Sequence, residues 1–142
     1  MTIARFHLAF PVTDIEETKA YYAEGLGCGI GRESKASVIL NLYDHQLVAH
    51  VTDQALVPQN SIYPRHFGLV FFEEADWQAL CDRVQHHQLP FYVAPKRRFE
   101  GSALEHRTFF LEDPFHNLLE FKFYCHEEAI FGAVEQATVG ES

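Results

Sequence analysis

Long apolar runs are missing from this 142-residue chain, and none approaches the roughly 20 residues that a membrane-spanning helix needs. No membrane partner is therefore expected. Cysteine is scarce: Cys28, Cys81 and Cys125 are odd in number, widely spaced and form no CxxC pair. That excludes a disulfide framework and a thiolate-rich metal cluster, and makes reduced, mostly buried thiols the expectation. Basic residues are few, with 11 Lys and Arg against 20 Asp and Glu and a net charge of −9. A partner rich in phosphate is disfavoured, because nucleic-acid binding rests on Lys and Arg, so no nucleic acid is expected. The opening residues carry no charged-then-apolar leader, which makes a cytoplasmic protein the expectation. Against these shortages stands an abundance of core material. The chain is 47% hydrophobic and 14% aromatic, with thirteen phenylalanines. This suits one domain of ordinary size over residues 1–142 and argues against disorder.

The hydrophobic pattern runs through the same sequence of periods twice. Residues 3–12 alternate as a strand. A helix start follows at Thr13-Asp14-Ile15-Glu16-Glu17, with Asp14 as N-cap and Ile15, Thr18, Tyr22 and Leu26 at helical spacing up to the glycines at 25, 27 and 29. Strands are expected at about 28–33, 36–43 and 46–52, with Asp44-His45 as a tight turn. The second half opens at His66 with another strand. A helix follows, with acidic residues at 73–76 and Trp77, Leu80, Cys81 and Val84 on its apolar stripe, closed by Pro90. Strands come again near 91–94, 106–112 and 117–124. Module one thus covers about 1–54 and module two about 63–125. A short helix near 126–131 and a tail that frays from about Gln136 complete the chain. Residues 95–105, with Lys96-Arg97-Arg98, read as a loop able to lid a cavity and attract an anion. His86-His87 read as exposed helix-end residues.

Strand alternation selects the residues that carry chemistry. In Ala4–Phe10, His7 lies opposite Phe6, Leu8 and Phe10. In His66–Phe71, His66 lies opposite Phe67, Leu69 and Phe71. In Leu118–Phe123, Glu120 lies opposite Leu119, Phe121 and Phe123. Two imidazoles and a carboxylate on the polar faces of three strands are the ingredients of a 2-His-1-carboxylate metal centre with open positions.

These features together resemble the vicinal oxygen chelate superfamily, which includes glyoxalase I, extradiol dioxygenases and fosfomycin- and bleomycin-resistance proteins. The resemblance is carried by His7 in the opening strand, the helix ending Gly-Leu-Gly, His66, and the run Asp113-Pro114-Phe115-His116-Asn117-Leu118-Leu119-Glu120. That run is similar to the family's Asp-Pro-x-Gly-Asn-x-x-Glu turn, with His116 where glycine is usual. The resemblance implies an α+β fold: two βαβββ modules forming a curved mixed sheet around a metal-binding cavity, plus a short C-terminal helix. It implies His7, His66 and Glu120 as ligands of a divalent metal, Fe(II) first and Mn, Ni or Zn as alternatives. It also implies a small-molecule substrate, and either a site within one chain or a homodimer in which His7 of one subunit meets His66 and Glu120 of another. The homodimer is the expectation.

The fourth strand decides the reaction class. It reads Asp44-His45-Gln46-Leu47-Val48-Ala49-His50 and has no Glu, the residue that glyoxalase-like members place there. Alternation groups Gln46, Val48 and His50 on one face and His45, Leu47 and Ala49 on the other. The first set makes His50 an acid/base group or a fourth ligand, with Gln46 as a weak ligand; the second gives the acid/base role to His45, with His50 packed outside. Three ligands with a nearby imidazole suit an extradiol-type dioxygenase acting on a small aromatic diol. A glyoxalase-like lyase or isomerase using Ni or Zn and a non-catalytic binding protein are the alternatives. The strand His106–Leu111 lacks the tyrosine usual in extradiol enzymes, and His106 or Arg107 is a candidate for oxyanion binding in its place.

Overall fold

A computed structural model describes residues 3–136 and Val139. The expected fraying beyond Gln136 lies largely outside the described residues. Module one comprises β1 (His7–Val12), α1 (Ile15–Lys19, continued by a π-helical stretch over Ala20–Gly25), β2 (Gly29–Glu33), β3 (Ser37–Leu42) and β4 (His45–Val51). Module two comprises β5 (Phe67–Val70), α2 (Glu74–His86), β6 (Phe91–Arg98), β7 (His106–Glu112) and β8 (Leu118–Tyr124). Each module is a four-stranded mixed sheet. The strand orders are β1-β4-β3-β2 and β5-β8-β7-β6, so the outer strands β1 and β5 occupy equivalent places. The expected α+β fold of two βαβββ modules is present, each module forming its own mixed sheet.

Local chemistry explains the elements. The Asp14 carboxylate accepts the Glu17 backbone N–H at 2.7 Å, and the Thr18 hydroxyl donates to the Asp14 carbonyl, so α1 starts where the N-cap pattern predicts. Its π-helical continuation buries Tyr21, Tyr22 and Gly25. Trp77, Leu80, Cys81 and Val84 form the buried stripe of α2, and the Trp77 indole N–H donates to the Phe121 carbonyl at 2.7 Å. His86 and His87 are exposed, as expected. Cys28 and Cys81 are buried free thiols and Cys125 is partly buried. Burial pushes the Cys28 thiol up to about 12, where it stays protonated.

The two modules share one apolar core, with Phe10 packed on both Tyr22 and Phe67. Polar staples cross between them. The Tyr22 hydroxyl donates to Asp113 Oδ2 at 2.6 Å, the Asn117 amide donates to the Pro11 carbonyl, and the Arg83 guanidinium donates to the Gly25 and Glu24 carbonyls. Asp113 also accepts the backbone N–H groups of Phe115 and Asn117, which closes the turn read from the sequence. His116 stands there at φ 71°, in the left-handed region that explains why glycine is usual.

Two expectations are corrected. The Lys96-Arg97-Arg98 segment is the end of β6 and no loop, paired with β7 through register shifts after Phe91 and Val93. Such irregularity hides a strand from an alternation test. The C-terminal helix is a single 3₁₀ turn over Glu127–Ala129. Among the described residues, no helix is long and apolar enough to cross a membrane.

Candidate metal centre

The open face of module two is the floor of a cavity of about 510 Å³. Alternation along β8 aims Glu120, Lys122 and Tyr124 into it, and β7 contributes His106 and Phe110; His66 comes from just before β5 and Arg98 from the end of β6. Residues Ile130–Val134 form an outer wall.

At the heart of this face His66 meets Glu120, with Nε2 3.1 Å from Oε1. Both groups are held from behind. His66 Nδ1–H donates to the Ile62 carbonyl at 2.8 Å, which fixes the ring so that Nε2 points at the carboxylate. Thr108 donates its hydroxyl to Glu120 Oε2 at 2.6 Å, and Lys122 Nζ lies 3.7 Å from Oε1. Such outer contacts orient metal ligands and raise their basicity. The Glu120 hydrogen bond raises the affinity of His66 for its proton despite partial burial. Burial pushes the Glu120 carboxyl up, and its contacts with His66, Lys122 and Thr108 outweigh this, leaving it below the usual carboxylate value. A divalent cation bound between Nε2 and Oε1 would displace the proton that these two atoms share.

Backbone space enforces this arrangement. Gly68 lies opposite Glu120 in the parallel β5–β8 pair, and a Cβ there would run into the Glu120 carbonyl. A residue with any side chain would drive β5, and His66 with it, away from β8.

His7 lies elsewhere. It sits exposed on the open face of module one, where its Nδ1–H donates to Gln46 Oε1 at 2.7 Å and leaves Nε2 free. Among the described residues, no three His, Cys, Asp or Glu side chains come together in one chain as a cation site. The expected triplet is thus a pair on module two and a single imidazole on module one.

Register makes the two faces comparable. His7 pairs with Gln46 and Ala9 with Val48; Gly68 pairs with Glu120, and His66 lies two residues before Gly68 as His7 does before Ala9. Val48 therefore occupies in module one the place of Glu120 in module two, and His50 that of Lys122. Leu47 and Ala49 are buried, so Gln46, Val48 and His50 form the open face beside His7. His45 is spent otherwise: its Nδ1 accepts the Phe6 backbone N–H at 3.1 Å. Neither His45 nor His50 lines the cavity of module two.

His106 does line it. It is 5% exposed, its Nδ1–H donates to the Leu104 carbonyl, and its ring packs 5.0 Å from that of Tyr124. Burial lowers its affinity for a proton, so the imidazole is neutral near pH 7. Arg107 points to the opposite face, paired with Glu74 at 2.9 Å and stacked on Trp77, and is no candidate for oxyanion binding in this cavity. Thr108, Lys122 and Tyr124 were missed by sequence reasoning. The signal was available for the last two, since they alternate with Glu120 on the same strand; Thr108 needed the β7–β8 register.

Comparison with known proteins agrees with this fold. The model of the Glyoxalase/Bleomycin resistance protein/Dioxygenase superfamily matches residues 5–121. A glyoxalase/bleomycin resistance protein/dioxygenase from Alicyclobacillus acidocaldarius is 39% identical, with a TM-score of 0.85 over 91% of this chain and 97% of that one. The fosfomycin resistance protein FosX from Listeria monocytogenes shares the fold at 15% identity, with a TM-score of 0.67 over 91% of this chain and 99% of its own. A lactoylglutathione lyase from Agrobacterium tumefaciens does so at 17% identity and a TM-score of 0.64, over 86% and 94%. Among curated proteins, nothing matches. On the module architecture and the matched span, the chain belongs to the glyoxalase/bleomycin resistance protein/dioxygenase superfamily.

Proposed function

We propose that this protein is a metal-dependent enzyme that opens the ring of an aromatic diol, with its site completed across a homodimer. The observation that carries the reading is the oriented His66–Glu120 pair on the floor of the cavity. Imidazole and carboxylate donors suit a divalent cation such as Fe(II), with Mn, Ni or Zn as chemically acceptable occupants. The third donor is His7 Nε2, supplied by the partner subunit, because one chain holds it apart from the pair. A FosX structure complexed with Mn(II) is among the proteins sharing this fold, which supports a divalent metal as cofactor.

Register supports three protein ligands over four. Where a fourth carboxylate would be symmetric with Glu120, module one carries Val48, and the neighbouring Gln46 oxygen accepts from His7. This disfavours the glyoxalase-like alternative, which needs a further acidic group. Three ligands leave positions for both oxygens of a diol and for O₂; when bound, the metal supplies Lewis-acid activation of these reactants.

The chain's own residues then have definite tasks. Thr108 and Ile62 hold the ligands in place. Neutral His106 accepts a proton from a substrate hydroxyl at Nε2, since Nδ1 is committed to Leu104. His50 enters with His7 on the same open face, as a second proton carrier. Phe110 and Tyr124 flank the ring and exclude water.

Anaerobic reconstitution with Fe(II), followed by O₂ and a panel of substituted catechols, tests the reading. The expected result is O₂ uptake with a ring-cleavage chromophore, abolished in His66→Ala. Absence of both across the panel, in protein shown to hold Fe(II), overturns the dioxygenase assignment.

A further inference from the structure

Three consecutive cations, Lys96, Arg97 and Arg98, end β6 in a chain of net charge −9. Their surroundings separate them. Arg97 is tethered outside the cavity, with Nη1 2.7 Å from Glu105 Oε2 and 3.3 Å from Cys125 Sγ. Lys96 is exposed and lines no part of the cavity. Arg98 lines the cavity, with its guanidinium carbon 5.0 Å from the Phe99 ring centroid. Among the described residues, no carboxylate lies within ion-pair distance of Arg98. A stacked guanidinium keeps its N–H edge free, and that edge matches a carboxylate in two-point geometry.

Strand register fixes where this cation stands. Arg98 pairs with His106, and His106 with Tyr124, so the three form one row across the sheet. Glu120 lies on a parallel row with Phe110. Four residues of β8 separate the rows, about 13 Å along the strand, and Arg98 stands two strands across from β8, about 10 Å to the side; the side chains from both rows shorten this span. The Phe99, His106 and Tyr124 rings lie along the row of Arg98, with successive centroids 5.9 Å and 5.0 Å apart. The cavity thus has a His–carboxylate row and, on a second row, a cation flanked by aromatic rings. The other cation in it, Lys122, already neighbours Glu120.

We propose that Arg98 binds the carboxylate of an elongated substrate whose other end reaches His66 and Glu120: an aromatic acid carrying its anion on a short arm. The proposal rests on the reading of the site given above and narrows its substrate class. A bare catechol ring is too short to engage both ends. An acid with an arm of two or three carbons lays that arm along His106 and Tyr124 and places its anion on the one cavity cation without an acidic partner.

The test compares two probes, 3-(3,4-dihydroxyphenyl)propanoate and its uncharged methylamide, by anaerobic calorimetry on the full chain, with metal content measured on the same samples. Wild type should prefer the acid about tenfold or more, as one charge-assisted hydrogen-bonded pair implies. Arg98→Gln should bring the ratio close to one and Arg98→Lys should keep part of it, both with unchanged metal content. Equal affinity for the two probes in wild type overturns the proposal. So does a preference that survives Arg98→Gln, or one that is lost in Lys122→Gln but kept in Arg98→Gln. Protein that holds no metal yet keeps an Arg98-dependent acid preference supports the anion site while refuting the metal reading, so the two fail separately.

Discussion

The two modules share a plan and a register, yet among the described residues it is the second that joins a histidine to a carboxylate inside a cavity. In module two, Glu120 stands on β8 opposite Gly68, beside His66, with Thr108 and Lys122 around it. In module one the equivalent positions hold Val48, Ala9, His7, Ser37 and His50. One face has become a charged, hydrogen-bonded cup. The other is a flatter surface that offers one oriented imidazole and an apolar neighbour. The repeated module supplies the geometry for two ligand sets, and Val48 in the place equivalent to Glu120 leaves one His–carboxylate pair and one single imidazole.

The largest expected effect tests the tight half of this comparison. Gly68→Ala forces a Cβ into the Glu120 carbonyl, whereas Ala9 already fills the equivalent place in module one. The substitution should cost about 3 kcal/mol or more in urea unfolding and also lower metal content. A loss below about 1 kcal/mol would show that the β5–β8 approach adapts.

The next prediction concerns which modules meet. His7→Ala and Glu120→Ala should each abolish metal binding when alone. Refolded together in equal amounts, they should recover about one quarter of wild-type metal, because half of the dimers are mixed and each restores one of two sites. No recovery, from variants that each fold and dimerise, would place the whole site within one chain.

A smaller effect follows from His106. Burial holds its folded-state proton affinity below the ordinary histidine value of 6.5, so the unfolded chain binds that proton more readily. Stability should therefore decline as pH falls below about 6.5 and stop declining once the folded-state group also protonates. His106→Gln should flatten that part of the pH–stability curve; an unchanged slope would mean that other groups dominate it.

The smallest change lies in the turn before β8. His116 adopts φ 71°, and its Nδ1 lies 2.8 Å from Glu112 Oε2 in a partly exposed hydrogen-bonded pair. His116→Gly removes the backbone cost and loses a weak pair, for a net stabilisation of about 0.5–1 kcal/mol by thermal or urea unfolding. Destabilisation would show that the pair outweighs the backbone term.

Most of the architecture was legible because it rests on local periodicities: alternation in the strands, the Asp14 cap of α1, and the Trp77–Val84 stripe of α2. The His66–Glu120 pair was legible for the same reason, since both lie opposite aromatic faces. What escaped depended on neighbours distant in sequence. Thr108 matters only through its register with β8. The end of β6 was hidden by bulges and Pro95. The separation of His7 from the pair follows from how the two modules pack, which no single segment encodes. Arg107 and Arg98 are both basic residues near the cavity strands, and only strand facing tells the one stacked on Trp77 from the one inside.

The outer wall of the cavity has a consequence of its own. Ile130–Val134 come after the last strand and are held to the fold by a 3₁₀ turn and a few backbone hydrogen bonds, while the ligand-type residues sit in hydrogen-bonded sheet. Cavity shape and the His66–Glu120 pair are therefore encoded in parts of the gene that can change independently. Insertions, truncations or side-chain swaps in this wall can redraw the cavity without shifting a strand, which gives selection a route to new substrates at little risk to the fold.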